Sequence, residues 1–295
     1  MFAEAIKEVG GYTRPILTIS RFYRNDTIPP GSGTLFFVTD DGYAITCKHV
    51  VDMLISSEKV NERYAEFRAA VAAAPTSKRK ATIKMLEKEY GYRPGTLIQQ
   101  KSTFVDCVVG GTGFTCHVHP TYDLAIIKFN EPDELRYQGH AVFAQDGSYA
   151  EPGDFFCRLG FPFPEFSSFA YDEEHDDIVW TKEGRVATPR FPIDGMMTRH
   201  LADAEGHVFG IEMSTPGLRG QSGGPLFDDD GIVYGMQSST KHLHLGFDIM
   251  DMHIQSGGLE KTVNNQPFLH VGQCIYVEVI KDFLREHDVE FFEED

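Results

Sequence analysis

The segment Gly220-Gln221-Ser222-Gly223-Gly224-Pro225 sets a serine among glycines on a turn, ahead of the apolar pair Leu226-Phe227. Nucleophilic catalysis by serine needs a hydroxyl held on a sharp turn and backbone N–H groups aimed at the oxyanion that forms. Glycines on both sides permit backbone angles that other residues avoid, and let a carbonyl approach the chain closely. The amides of Gly220 and Ser222 are the candidate oxyanion donors. A general base is the second requirement. Of twelve histidines, His49 in Thr46-Cys47-Lys48-His49-Val50-Val51 is marked out by its position, at the end of a strand after a glycine turn. Imidazole changes charge near neutral pH, which suits it to that work. A carboxylate that orients the imidazole is the third. Asp123 opens the apolar strand Leu124-Ala125-Ile126-Ile127, where it can accept a bond from the ring. Singly, each has a plainer account: a hairpin turn, a packed histidine, a strand-start cap. Their order along the chain, His49 then Asp123 then Ser222, carries the chemistry.

The elements that must bring these three together are mostly strands. Residues 1–11 read as a short helix or tail. From Tyr12 to Val51 the runs ILTISRFY and GTLFFVTDDGYAITCKHVV alternate or are continuously apolar, with a turn at Asp40-Asp41-Gly42. Residues 52–94 are rich in Ala, Glu, Lys, Arg and Leu at helical spacing and break at Pro75-Thr76, which predicts a helical hairpin inserted into a β protein. Strand patterning resumes at Gly95 and closes one half near residue 145. A second strand-rich half fills 146–295. It ends in a helix, with Val277, Ile280 and Leu284 on one face, and an acidic tail. Many short strands in two halves predict an all-β protein, and periodicity alone fits barrels or a sandwich.

Four motifs, GSGTLFFVTDDGYAITCKHVV, YDLAIIKF, Gly160-Phe161-Pro162 and GLRGQSGGPLFDDDGIVYGM, spread over residues 31–236, resemble the trypsin-like serine peptidase family in its bacterial and intracellular style. The resemblance implies two six-stranded antiparallel barrels with the active site between them. His49 and Asp123 would lie on the first barrel and Ser222 on the second. It also implies the roles: His49 as base then acid, Asp123 as its orienting carboxylate, Ser222 as nucleophile, Gly220 and Ser222 as oxyanion donors, and no metal or cofactor. The substrate would be a protein or peptide.

The chain departs from digestive trypsins. Gln221 precedes the nucleophile where those enzymes have an aspartate that pairs with a freshly cut N-terminus, so the oxyanion turn is expected to be organised in another way. Those enzymes also carry a serine behind the catalytic aspartate, a place filled here by Tyr234 or Gly235, depending on register. Pro216 replaces the aspartate that reads Arg or Lys. The expected pocket neighbours are Met213, Ser214, Thr215, Pro216, Gly217, Gly235, Met236 and Gln237, which imply an uncharged, small or apolar residue before the scissile bond. Arg219 at the rim could instead meet an acidic group. The insertion directly after His49 is a candidate docking element for a regulatory protein. The rival to an enzyme is a protease-like binding module that uses this insertion and leaves its triad idle.

The formal net charge of −17 disfavours nucleic acid and anionic membranes as partners. No stretch approaches the ~18 apolar residues a membrane helix needs, and no signal peptide is visible at the N-terminus. Five cysteines at irregular spacing are not a secreted disulfide framework and predict free thiols in a reducing, cytoplasmic setting. Cys107 and Cys116 flank a glycine turn and are expected as two buried thiols. His242 and His244, with His253 and His270, lack a Cys or carboxylate partner at metal-binding spacing, so no metal is assigned to them.

Overall fold

The structure is a computed structural model that describes residues 2–256 and 259–294. Met1 and Asp295, the outermost residues of the two expected halves, lie outside the described residues. The main sheet of the first half has six strands: β1 (Thr13–Phe22), β2 (Pro30–Phe37), β3 (Tyr43–Thr46), β4 (Leu97–Phe104), β5 (Phe114–Val118) and β6 (Ala125–Phe129). They form one antiparallel sheet in the order β4-β1-β2-β3-β6-β5. The sheet curls without a hydrogen-bonded seam between its edge strands. Across that seam Phe104 of β4 meets Phe114 of β5 edge-on at 5.3 Å.

The second half also has six long-range strands: β7 (Phe155–Gly160), β8 (Phe191–Ala202), β9 (Val208–Met213), β10 (Pro225–Phe227), β11 (Val233–His244) and β12 (Phe268–Tyr276). Their order is β10-β7-β8-β9-β12-β11, and β11 pairs back onto β10, so this barrel closes through antiparallel ladders. The expected pair of six-stranded barrels is therefore one closed ring and one curled half-barrel. Closure satisfies every edge; the open half leaves an edge that the insertion covers.

The inserted hairpin is α2 (Lys48–Ala73) and α3 (Arg79–Tyr90). It starts four residues earlier than the composition shift suggests, so His49 stands in the first turn of α2 and not on a strand. Asn61 of α2 brackets the β4 backbone, accepting from the Gln100 amide at 2.8 Å and donating to its carbonyl at 2.8 Å. Tyr64, Phe67, Leu86, Tyr92 and Ile98 form a satellite core beneath the hairpin. Such a cluster lets a long helix hold its place although most of its surface is solvated.

Each terminus crosses to the other half. In α1 (Ala3–Tyr12), Ala5 and Val9 pack in the main core, and Phe2 ahead of it meets Phe227 of β10 at 6.4 Å. On α4 (Val277–Glu286), Val277, Ile280 and Leu284 are all buried, as their spacing predicts. Phe283 of the same helix meets His119 of the first half. The acidic end is not a free tail: Phe292–Glu293 pairs with Val142–Phe143, which in turn pairs with β11. The second half thus reaches back across the boundary expected at 145.

Candidate active site

Asp123 sits in the turn before β6. The His119 ring accepts the amides of Thr121 and Tyr122 at 3.1 and 2.9 Å, which winds the turn and aims Asp123 at the start of α2. There Asp123 receives three groups. His49 Nδ1 lies 2.9 Å from Oδ2, the His49 amide donates to Oδ1 at 3.0 Å, and the Ser238 hydroxyl donates to Oδ2 at 2.6 Å. Burial by itself pushes the Asp123 carboxyl up. The bonds from the His49 ring, Ser238 and the His49 amide outweigh it and bring the group down to about 2. A carboxylate held so firmly ionised fixes the ring with its proton on Nδ1 and leaves Nε2 as the basic nitrogen. Cys47, fully buried just before α2, gives its thiol to the Gln237 carbonyl at 3.3 Å and is held protonated by burial and by the Asp123 charge.

The serine turn is held by both halves. Gly220 takes a φ of +93° and Gly223 a φ of +88°, the left-handed region that glycine tolerates. A side-chain carbon at Gly223 would stand 2.1 Å from the Thr34 carbonyl oxygen, so no other residue fits there. From the first half, Thr34 donates its amide to the Ser222 carbonyl at 3.0 Å and its hydroxyl to the Gly220 carbonyl at 2.7 Å. From the second half, the Gly223 amide donates to Gln237 and the Gln237 amide to Gly224, both at 2.8 Å. Gln221 is fully buried. Its side chain accepts from the Leu218 amide at 3.0 Å and donates to the Phe191 carbonyl at 3.1 Å. An uncharged amide thus braces the turn where digestive trypsins use a charge pair. Among the described residues, the amides of Gly220 and Ser222 donate to no protein acceptor, which leaves both available to an oxyanion.

His49 and Asp123 are hydrogen-bonded as expected, and Ser222 joins them through one residue. Ser222 Oγ donates to the Ser238 carbonyl at 3.3 Å, while the Ser238 hydroxyl holds Asp123. The hydroxyl has no bond to the imidazole in this arrangement. Ser238 supplies the support that sequence reasoning sought at Tyr234 or Gly235 and missed. It is the extra residue of a bulge, because Gln237 pairs with Cys274 and Ser239 with Gln273, leaving Ser238 unmatched. A bulge turns a side chain out of the strand's alternation, so counting along the strand misplaces it. The serine pair Ser238-Ser239 directly after Gln237 is the signal that could have found it.

A cleft of about 540 Å³ opens beside Ser222. Pro216, Gly217, Arg219 and Gln237 line it as expected, joined by Ser239, Thr240, His242 and His270, which were not foreseen. The remaining expected neighbours lie elsewhere. Met213 and Met236 are fully buried in the core, and Gly235 is locked in the barrel ladder opposite Tyr276. Ser214 and Thr215 face β8, where Ser214 Oγ accepts from the Met196 amide and Thr215 Oγ1 donates to the Asp194 carbonyl, both at 2.9 Å. His244 bonds to Asp248 at 2.8 Å, and His242 faces His270.

The chain matches the trypsin-like peptidase domain over residues 31–236. No match is found among curated proteins. Among solved structures, the HtrA-type protease AlgW with a decapeptide is similar at 13% identity and a TM-score of 0.49, over 97% of this chain and 67% of that one. With the matched domain spanning more than half of its residues, this chain belongs to the trypsin-like peptidase family.

Proposed function

We propose that the protein is a serine endopeptidase that cuts peptide bonds through an acyl-enzyme. The single observation that carries this reading is the bonded set His49–Asp123–Ser238–Ser222 beside two amides free to receive an oxyanion. Ser222 Oγ turns from the Ser238 carbonyl toward His49 Nε2, gives up its proton there and bonds to the substrate carbonyl carbon. The carbonyl oxygen takes the negative charge between the Gly220 and Ser222 amides. Collapse breaks the C–N bond as His49 passes the proton to the departing amine. Water then attacks the ester by the same route, and Ser222 recovers its proton.

The activity is narrow or gated in this reading. What supports it is that His49 lies in the first turn of α2. The middle of α2 is clasped to the second half, where Tyr64 donates to Asp176 Oδ2 at 2.9 Å and Arg68 to the Asp176 carbonyl at 3.0 Å. Arg21 adds an ion pair to Asp176 at 2.7 Å. A protein partner that shifts this helix shifts the base with it. The five cysteines are free thiols, which supports action in a reducing compartment such as the cytoplasm. Comparing new N-termini in cells carrying wild type or Ser222→Ala tests the activity. Cleavages present only with wild type are expected, and an identical set from both would leave the idle binding module as the better reading.

A further inference from the structure

The cleft beside Ser222 runs against the charge of the chain. The molecule carries a net −17, yet no carboxylate is among the described residues that line this cleft, while Arg219, His242 and His270 are. His242 of β11 and His270 of β12 are register partners, and their Nδ1 atoms stand 2.6 Å apart. At that separation one ring donates and the other accepts. The accepting ring must then carry its proton on Nε2, which makes its outer edge a donor.

Behind the cleft lies a charge without a partner. Arg158 on β7 is 0% exposed. Its Nη1 donates to Gln237 Oε1 at 2.6 Å, its Nη2 to the Thr215 carbonyl at 3.0 Å and to the Thr215 hydroxyl, and its Nε bonds to nothing among the described residues. No described carboxylate lies within ion-pair distance of it; the acid whose charge reaches it is the exposed Asp194 on β8. A guanidinium stays charged when buried, and burying one unpaired is costly. An apolar side chain would fill a barrel strand at lower cost. Gln237, which accepts from this cation, is itself part of the cleft lining, and no carboxylate among the described residues pairs with the guanidinium.

The walls also limit what enters. Thr240 Oγ1 donates to the Gly217 carbonyl at 2.8 Å and ties one side of the cleft to the other. The Gln237 side chain packs so closely on Gly217 that a carbon added there would stand 2.3 Å from its nitrogen. A basic side chain finds no carboxylate among the described residues of the lining.

We propose that this cleft reads a carboxylate, so that the bond cut is the one following a glutamate or aspartate. This names the substrate of the site assigned above and rests on that serine peptidase reading. Arg219 and the histidine pair meet the carboxylate at the mouth, and Arg158 holds the floor positive. The uncharged preference expected from Pro216 gives way, because the charge comes from a strand behind the pocket and not from its base.

Peptidyl diphenyl phosphonates that differ only in the residue before the phosphorus test this. Ser222 Oγ bonds to phosphorus as phenoxide leaves, and intact mass follows the rate. A fluorophosphonate without that side chain reports the nucleophile alone. Glutamyl and aspartyl reagents are expected to label at least about tenfold faster than valyl or lysyl ones. Arg219→Gln and Arg158→Met should each cut the glutamyl-to-valyl rate ratio by about tenfold. Arg219 is exposed, so its variant reads the pocket even where loss of Arg158 disturbs folding. Labelling by the fluorophosphonate with valyl or lysyl reagents equal to glutamyl would overturn the acidic preference and leave the peptidase standing. Absence of any label on Ser222 would overturn both.

Discussion

The second half closes its six strands into a ring and carries Ser222 on a turn bonded to the backbone of both halves, whereas the first leaves its seam to phenylalanine rings and pairs His49 with Asp123 through their side chains. The serine turn tolerates almost no change, because at Gly220 and Gly223, with φ of +93° and +88°, an added side-chain carbon would collide with the Phe161 and Thr34 carbonyl oxygens. The base and its carboxylate sit on elements with freedom to adapt: the first turn of a helix and a turn wound round a histidine ring. An open sheet edge is what makes room for the insertion to cover β4 and to carry the base at its root. Ser222 is thus fixed where the two halves meet, while His49 rides on the root of the inserted helix.

Substitutions separate the two kinds of support, the largest effect being at the carboxylate. Asp123→Asn should lower kcat by about 10⁴, through the wrong imidazole tautomer, with little change in fold. The same variant bears on stability. Because the folded Asp123 carboxyl is brought down to about 2 from an ordinary value of about 4, its stabilisation is present above the ordinary value and lost as pH falls toward 2. Melting temperature followed from about pH 5 down to 2 should therefore drop more steeply for wild type than for Asp123→Asn, the window being that of the shift.

Gly223→Ala attacks the other half. Its cost should reach at least about 2 kcal/mol, from a positive φ combined with a clash on the Thr34 oxygen, read as a loss in denaturant midpoint with activity lost alongside. Were the variant as stable as wild type, the backbone account of the serine turn would fail. Ser238→Ala removes one of three bonds to Asp123 and the smaller support for the base. A fall in kcat/KM of about tenfold is expected, roughly the worth of one charge-assisted hydrogen bond. Smallest is Tyr64→Phe, which removes the hydroxyl bonded to Asp176. About 1 kcal/mol of stability should go, and a change in kcat larger than threefold would show that the clasp controls the base.

The local parts of the site were legible in the sequence. Ser222 with its glycines, His49 after a strand and Asp123 before one are marked by what a turn or a strand mouth requires within a few residues. The helical insertion was legible from composition and spacing, and the terminal helix from Val277, Ile280 and Leu284. What escaped depends on pairing at a distance. Ser238 is set by a bulge opposite β12, which no count along β11 reveals. Met213 and Met236 were expected in the pocket, but strand alternation in a closed barrel turns both into the core. Arg158 gave no local signal, since its meaning comes from the absence of a carboxylate nearby in space. Closure of one barrel and not the other likewise rests on whether the first and last strands meet, as β10 and β11 do and β4 and β5 do not.

The most direct measurement is the rate of fluorophosphonate addition, followed by intact mass and peptide mapping, for the wild type and His49→Ala. A single adduct on Ser222 that forms readily in the wild type and slows by orders of magnitude without the imidazole is the predicted result. An adduct on another residue, or equal rates with and without His49, would contradict the assignment of Ser222 and His49 as nucleophile and base.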